Sequence, residues 1–251
     1  MKRIFTLLLA AVMLALACVS FVACTESKKD KLVIGITYYK PMNYKDDTGK
    51  LVGFDTEFAE AVCEKLGKEP EFLVIDWKNK FIELDADTID CIWNGMTITD
   101  EALANADVST PYVKNAQVVV TKADIADDFA EFSDMKNLKF AAEAGSAGEE
   151  CITDAGFENY TAVTAQSDAL NEVSTGAADA CVIDLSMANS MIGEGTSYSA
   201  LAQAMKLNEE EYGIACRKGD KLLDDINAAM AEMKADGSLQ KLAEKYNLTL
   251  A

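Results

Sequence analysis

The feature that most constrains this chain is its alternation of short β-branched runs with segments of helical period. Lys31–Ile36 reads as a strand. Phe54–Leu66 carries apolar residues at helical spacing, with Asp55 near its start and Gly67 just past its end. Residues 71–75 read as a second strand, 78–84 as a helix and 89–93 as a third strand. Parallel neighbours need a crossover long enough to hold a helix, so this order predicts a mainly parallel sheet with helices on its faces. A second series follows, with strands over 117–121, 138–142, 160–163 and 180–183 and helices over 146–154, 167–174 and 185–192. A strand at 212–216 and helices at 222–234 and 239–246, parted at Gly237, complete the chain. Two such series, with a return after the second, predict an α/β protein of two lobes whose first lobe is finished by the C-terminal segment.

The first residues lie outside this pattern. Met1, Lys2 and Arg3 precede a nearly unbroken apolar run that reaches Ala23, and the sequence turns polar after Cys24. That is the layout of an export signal. Phe21-Val22-Ala23-Cys24 resembles a lipobox, so the expectation is a cleaved lipoprotein signal over 1–23, lipidation at Cys24 and a tether over 24–30. An uncleaved anchor helix is the alternative, since residues 4–23 are about long enough to cross a bilayer at 1.5 Å per residue. Either reading puts the body of the protein outside the cytoplasm, held to the outer face of the cytoplasmic membrane.

Charge and composition narrow the function classes. A formal charge of −19 repels nucleic acid and anionic headgroups, so neither is expected as a partner. The chain has no histidine, and Cys63, Cys91, Cys151, Cys181 and Cys216 are dispersed without Cys-x-x-Cys spacing. Zinc sites and Ser-His or Cys-His nucleophile pairs lack their residues, and no metal, cofactor or catalytic residue is expected. The cysteines are expected mostly as buried free thiols.

Several phrases, in order, resemble one family. They are Gly53-Phe54-Asp55 opening the first helix, Asn94-Gly95-Met96-Thr97-Ile98-Thr99 after the third strand, and Ser109-Thr110-Pro111-Tyr112. Ala144-Gly145-Ser146, the segment from Ala178 to Asp184, Tyr212-Gly213-Ile214-Ala215 and Asp236-Gly237-Ser238-Leu239 continue the series. Together they resemble the polar amino-acid-binding solute-binding proteins of ABC importers. The resemblance implies a two-lobed periplasmic-binding-protein-like fold, with two mainly parallel sheets flanked by helices and joined by two hinge strands. Lobe one would be 31–112 with 213–251, and lobe two 117–208, with hinges near 113–116 and 209–212. It further implies a monomer that captures a small amino-acid or amine ligand and delivers it to permease and ATPase subunits. A cyclohexadienyl dehydratase-like enzyme on the same fold, with Glu143 as general acid, is one alternative. A sensor for a separate membrane receptor is another.

The resemblance also assigns residues. Asn94, Gly95, Met96 and Thr97 form the binding turn of the first lobe; Gly95 offers backbone groups, and Thr97 its N–H and hydroxyl. Ser146 and Ala147 open a helix whose unpaired N–H groups favour an anion. Asp184 pairs with a ligand ammonium. Trp77 packs on the ligand, and Tyr38 or Tyr39 forms the opposite wall. The family's Thr-x-Thr-x-x-Arg phrase holds the ligand carboxylate with its arginine, but here Ala102 stands at that place. The sequence leaves open whether Lys80 or Lys114 reaches the cleft to compensate, and Arg217 reads as surface. Glu143 beside the second turn is acidic where relatives are often neutral or basic. The expected ligand is therefore a cationic or zwitterionic amine whose carboxylate is weakly held or absent.

Overall fold

The computed structural model describes residues 30–251. The signal, the lipidation site at Cys24 and most of the tether lie outside the described residues. The first sheet is built from β1 (Lys31–Ile36), β4 (Glu69–Val74), β5 (Cys91–Thr97), β6 (Asp107–Val108) and β13 (Glu210–Cys216), in the order β4-β1-β5-β13-β6. Strand β7 (Val113–Asn115) pairs with the start of β13. A small hairpin joins β2 (Tyr44–Lys45) to β3 (Leu51–Val52).

The second sheet runs β10-β9-β11-β8-β12, from β8 (Gln117–Lys122), β9 (Phe140–Glu143), β10 (Tyr160–Val163), β11 (Ala180–Asp184) and β12 (Leu201–Lys206). Each sheet has a parallel trio, β4-β1-β5 and β10-β9-β11, against which β13 and β8 respectively run antiparallel; β6 and β7 pair antiparallel with β13, and β12 with β8. The chain passes between the sheets twice, at Ala116 and across residues 207–209.

Eight helices among the described residues flank the sheets: α1 (Phe54–Leu66), α2 (Lys80–Asp85), α3 (Asp100–Asn105), α4 (Ala147–Asp154), α5 (Gln166–Thr175), α6 (Leu185–Met191), α7 (Leu222–Ala235) and α8 (Ser238–Lys245). The apolar stripe of α1 follows its 3.6-residue period, so Phe54, Phe58 and Val62 are fully buried. Burying such side chains contributes about 1.5–3 kcal/mol each. The helix ends at Gly67, whose φ of 67° closes the last turn in the left-handed region that glycine adopts freely. Helices α7 and α8 pack on α1, and Leu250 bridges to Val113.

Cys63, Cys91, Cys181 and Cys216 are buried free thiols, and Cys151 is half-buried and also unpaired. No helix among the described residues is long and apolar enough to cross a membrane.

Candidate ligand-binding cleft

A cavity of about 410 Å³ lies between the carboxyl ends of the two parallel trios, where ligands of open α/β sheets bind. Its wall from the first sheet's side includes Trp77, Lys80, Asn94, Met96, Thr97 and Ala102. The facing wall includes Gln117, Glu143, Ser146, Ala147, Gln166 and Asp184. Gly95 and Gly145 also contribute. Ten of the twelve ligand-binding residues expected from sequence therefore meet at one place. The two tyrosines do not line it. Tyr38 is largely exposed, with Lys45 over its ring. Tyr39 is buried, and its hydroxyl bonds to Ser186 and Tyr212.

The first turn is held from behind. The side-chain oxygen of Asn94 accepts from Thr37 N (3.0 Å) and Asn43 Nδ2 (2.8 Å), which fixes the end of β5. Gly95 has a φ of 56°, and a Cβ there would lie 2.7 Å from the Tyr39 ring, so both backbone shape and space require glycine. Its N–H donates to Asp55 Oδ2 at 2.6 Å. The Gly95 N–H is thus already spent inside the lobe, which narrows the sequence expectation that Gly95 offers backbone groups to a ligand. Thr97 donates its hydroxyl to Glu210 Oε1 at 2.9 Å. Thr99 caps α3 by accepting from Ala102 N. The Ala102 methyl is buried in the cluster that contains Trp77 and Phe81, with no arginine in its place.

The second turn is equally built. Ser146 caps α4, its hydroxyl accepting from Glu149 N, while Glu149 returns a carboxylate to Gly145 N at 2.6 Å. Part of the helix's positive end is thereby met by a carboxylate from its own first turn. Asp184 is buried at the end of β11 and accepts from Asn115 Nδ2 (2.5 Å), Gln117 Nε2 (2.8 Å) and Gln166 Nε2. Asn115 and Gln117 also donate to Glu210 Oε1, at 2.7 and 2.8 Å. Two amide groups where the chain crosses between sheets thus hold two carboxylates near each other. Burial, then Glu210, raises the Asp184 carboxyl to about 7.

Burial also raises the Glu143 carboxyl well above the usual carboxylate range, helped by Asp184 and opposed by Lys80. Its Oε1 is buried without a hydrogen-bond partner among the described residues. Glu101, Glu149 and Glu150 line the cavity as well, so it holds five acids with Asp184 and Glu143 against the single cation Lys80.

Sequence reasoning missed Gln117, Gln166 and Glu210, because a neutral amide or a carboxylate at a strand or helix end carries no pattern of its own. Arg217, read as surface, is partly exposed and away from the cavity; its guanidinium donates to Ile89 O (2.7 Å) and Leu84 O and pairs with Asp87 and Asp90.

Residues 32–249 match the family model of bacterial extracellular solute-binding proteins, family 3. The chain is 30% identical to the L-cystine-binding protein TcyJ of Escherichia coli (strain K12), over 87% of this chain and 83% of that one. It is 31% identical to the arginine-binding extracellular protein ArtP of Bacillus subtilis (strain 168), over 98% of each. A solved ancestral arginine-binding protein bound to arginine superposes with a TM-score of 0.80 at 34% identity, covering 87% of this chain and 99% of that one. With the fold and nearly the whole chain in agreement, this protein belongs to the bacterial extracellular solute-binding proteins, family 3.

Proposed function

We propose that this protein is the solute-binding subunit of an ABC importer that captures a small cationic amine, foremost an amino acid with a basic side chain. The observation that carries this reading is the charge of the cavity: five acids and one lysine, with Asp184 and Glu143 both buried. A buried carboxylate without a cation is costly, and an incoming ammonium or guanidinium removes that cost by ionic hydrogen bonds. Asp184 takes the ligand ammonium; Glu143, with its unpartnered oxygen, takes the second positive group; Trp77 covers the apolar stem. The arginine-binding relatives support a cationic solute, and the cystine-binding relative supports an amino acid more generally.

Capture proceeds by closure of two lobes, 31–112 with 213–251 and 117–208, about the crossings near 113–116 and 209–212. Closure excludes water and strengthens each ionic contact. We further propose that the protein acts as a monomer, tethered through lipid on Cys24, and passes its solute to permease and ATPase subunits.

A melting-temperature screen with basic, neutral and acidic amino acids and with simple diamines tests the ligand class. Stabilisation by the basic compounds is expected; stabilisation by aspartate or glutamate alone would sink it. One observation favours a second reading. The raised Glu143 carboxyl can also serve as a general acid, as in a dehydratase, and turnover of a cyclohexadienyl substrate would establish that role.

A further inference from the structure

Lys80 opens α2 and is 5% exposed. Its ammonium lies against the rings of Trp77 (5.1 Å) and Phe81 (4.8 Å) and lines the same cavity as Asp184. An ammonium carries three donors. Among the described residues only one of them is used, in a 2.8 Å bond to Gly145 O on the facing wall. The nearest carboxylate, Glu101, is at 4.0 Å, too far for a hydrogen bond, and is itself 60% exposed. A buried cation with two open donors is a poor resting arrangement, and an anion entering the cavity would complete it.

The other candidates for that role are committed elsewhere. Arg217 is spent on the carbonyls of Leu84 and Ile89 and on Asp87 and Asp90. Lys114 is exposed and lines two other cavities, beside Leu185, Asn115 and Thr249. The two turns approach closely enough for Lys80 to act between them: a Cβ on Gly145 would come within 2.9 Å of Lys78 Cα.

We infer that Lys80 holds the carboxylate of the ligand, taking over from the arginine absent at Ala102, and that the solute is therefore an α-amino acid with a cationic side chain rather than a plain amine. The cavity is polarised to match. Lys80 stands with Trp77 and Ala102 on one wall, while Asp184 and Glu143 stand on the other. The Lys80 ammonium spends one donor on Gly145 O, and its two open donors would meet the carboxylate. This amends the sequence expectation of a carboxylate weakly held or absent.

The inference rests on the cationic-ligand reading, and the test separates the two. Calorimetry on the full chain compares L-arginine with agmatine, the same molecule without its carboxylate, for the wild type, Lys80→Met and Lys80→Arg. The wild type should prefer L-arginine by about tenfold to a hundredfold, the worth of one charged hydrogen-bonded contact. Lys80→Met keeps an unbranched stem against Trp77 and Phe81; it should erase that preference by weakening L-arginine alone, and Lys80→Arg should restore it. Circular dichroism confirms that each variant is folded. Equal loss for both ligands in Lys80→Met, or no preference in the wild type, overturns the role of Lys80 and leaves the cationic reading standing. Binding of L-glutamine with no binding of either cation overturns the cationic reading instead. Lys80 is then judged by the same variants on L-glutamine against 4-aminobutanamide, with loss of the former alone supporting it and equal loss refuting it.

Discussion

Asp55 and Asp184 are both buried acids at the ends of regular elements, and burial raises both to about 7. Asp55 lies in the first turn of α1, behind the cleft. Its Oδ2 accepts from Gly95 N and from the Tyr112 hydroxyl (3.0 Å), and it does not line the cavity. Asp184 lines the cavity and is held by three side-chain amides from three different elements. The first acid is fixed by a backbone donor and a phenol within the core; the second is held by side-chain amides at the cavity wall. A perturbed carboxyl is therefore no mark of a binding site on its own. Access to a cavity is what distinguishes Asp184.

The largest effect should come from removing the cleft acid. Asp184→Ala is expected to weaken a basic amino acid by about a hundredfold or more, the loss typical of a buried charge pair, measured by calorimetry. Asp55→Ala should instead act mainly on folding. Leaving Gly95 N–H unpaired costs about 1–3 kcal/mol in urea unfolding, with a smaller loss of affinity through the loosened turn. Interchanged outcomes would break the comparison.

The pH dependence sharpens it further. Between the ordinary carboxylate range near 4 and about 7 the folded protein keeps protons on Asp55 and Asp184 that the unfolded chain has released. The stability of the ligand-free protein should therefore fall as pH rises through that window, with both acids contributing alike. Binding of a cation should do the reverse for the two cleft acids, Asp184 and Glu143, and not for Asp55. Affinity should rise with pH through that window, and Asp184→Asn should lessen that slope while Asp55→Asn leaves it.

Smaller effects follow at the margins of the cleft. Glu143→Gln should cost a basic amino acid about tenfold, by removing one ionic partner while keeping the shape. Thr99→Ala, which removes the cap on α3, should lower stability by about 1 kcal/mol in the same unfolding experiment.

Much of the fold was legible because period-2 and period-3.6 patterns report directly on which face is buried. Strand Lys31–Ile36 and helix Phe54–Leu66 appear with the bounds read from sequence. Several short elements were not foreseen, β12 and α3 among them. Strand β12 carries Gln203 and Lys206 among small and half-buried residues, so it has no clean alternation. Helix α3 is too short to show a period and reads as part of the binding phrase. The predicted parallel character holds for one half of each sheet, since strands that return from the other lobe enter antiparallel.

In the cleft, the turn residues and Asp184 follow from phrases, because glycine, threonine and an acid after a buried strand have local causes. Tyr39 shows the limit. Its position in the sequence allowed either wall or core, and the deciding partners, Ser186 and Tyr212, are far away along the chain. The reach of Lys80 was invisible for the same reason, since it depends on Gly145 in the facing lobe.

The acids around the cavity differ in exposure, and that difference has a kinetic meaning. Glu101 is 60% exposed at the rim, while Asp184 and Glu143 are each 3% exposed within. Rim charges act before contact, drawing cations through solvent over roughly 8 Å at physiological ionic strength. The inner charges act only once water has gone. Salt should thus slow the arrival of a basic solute while leaving its residence time nearly unchanged, so that catching and keeping are handled by separate sets of carboxylates.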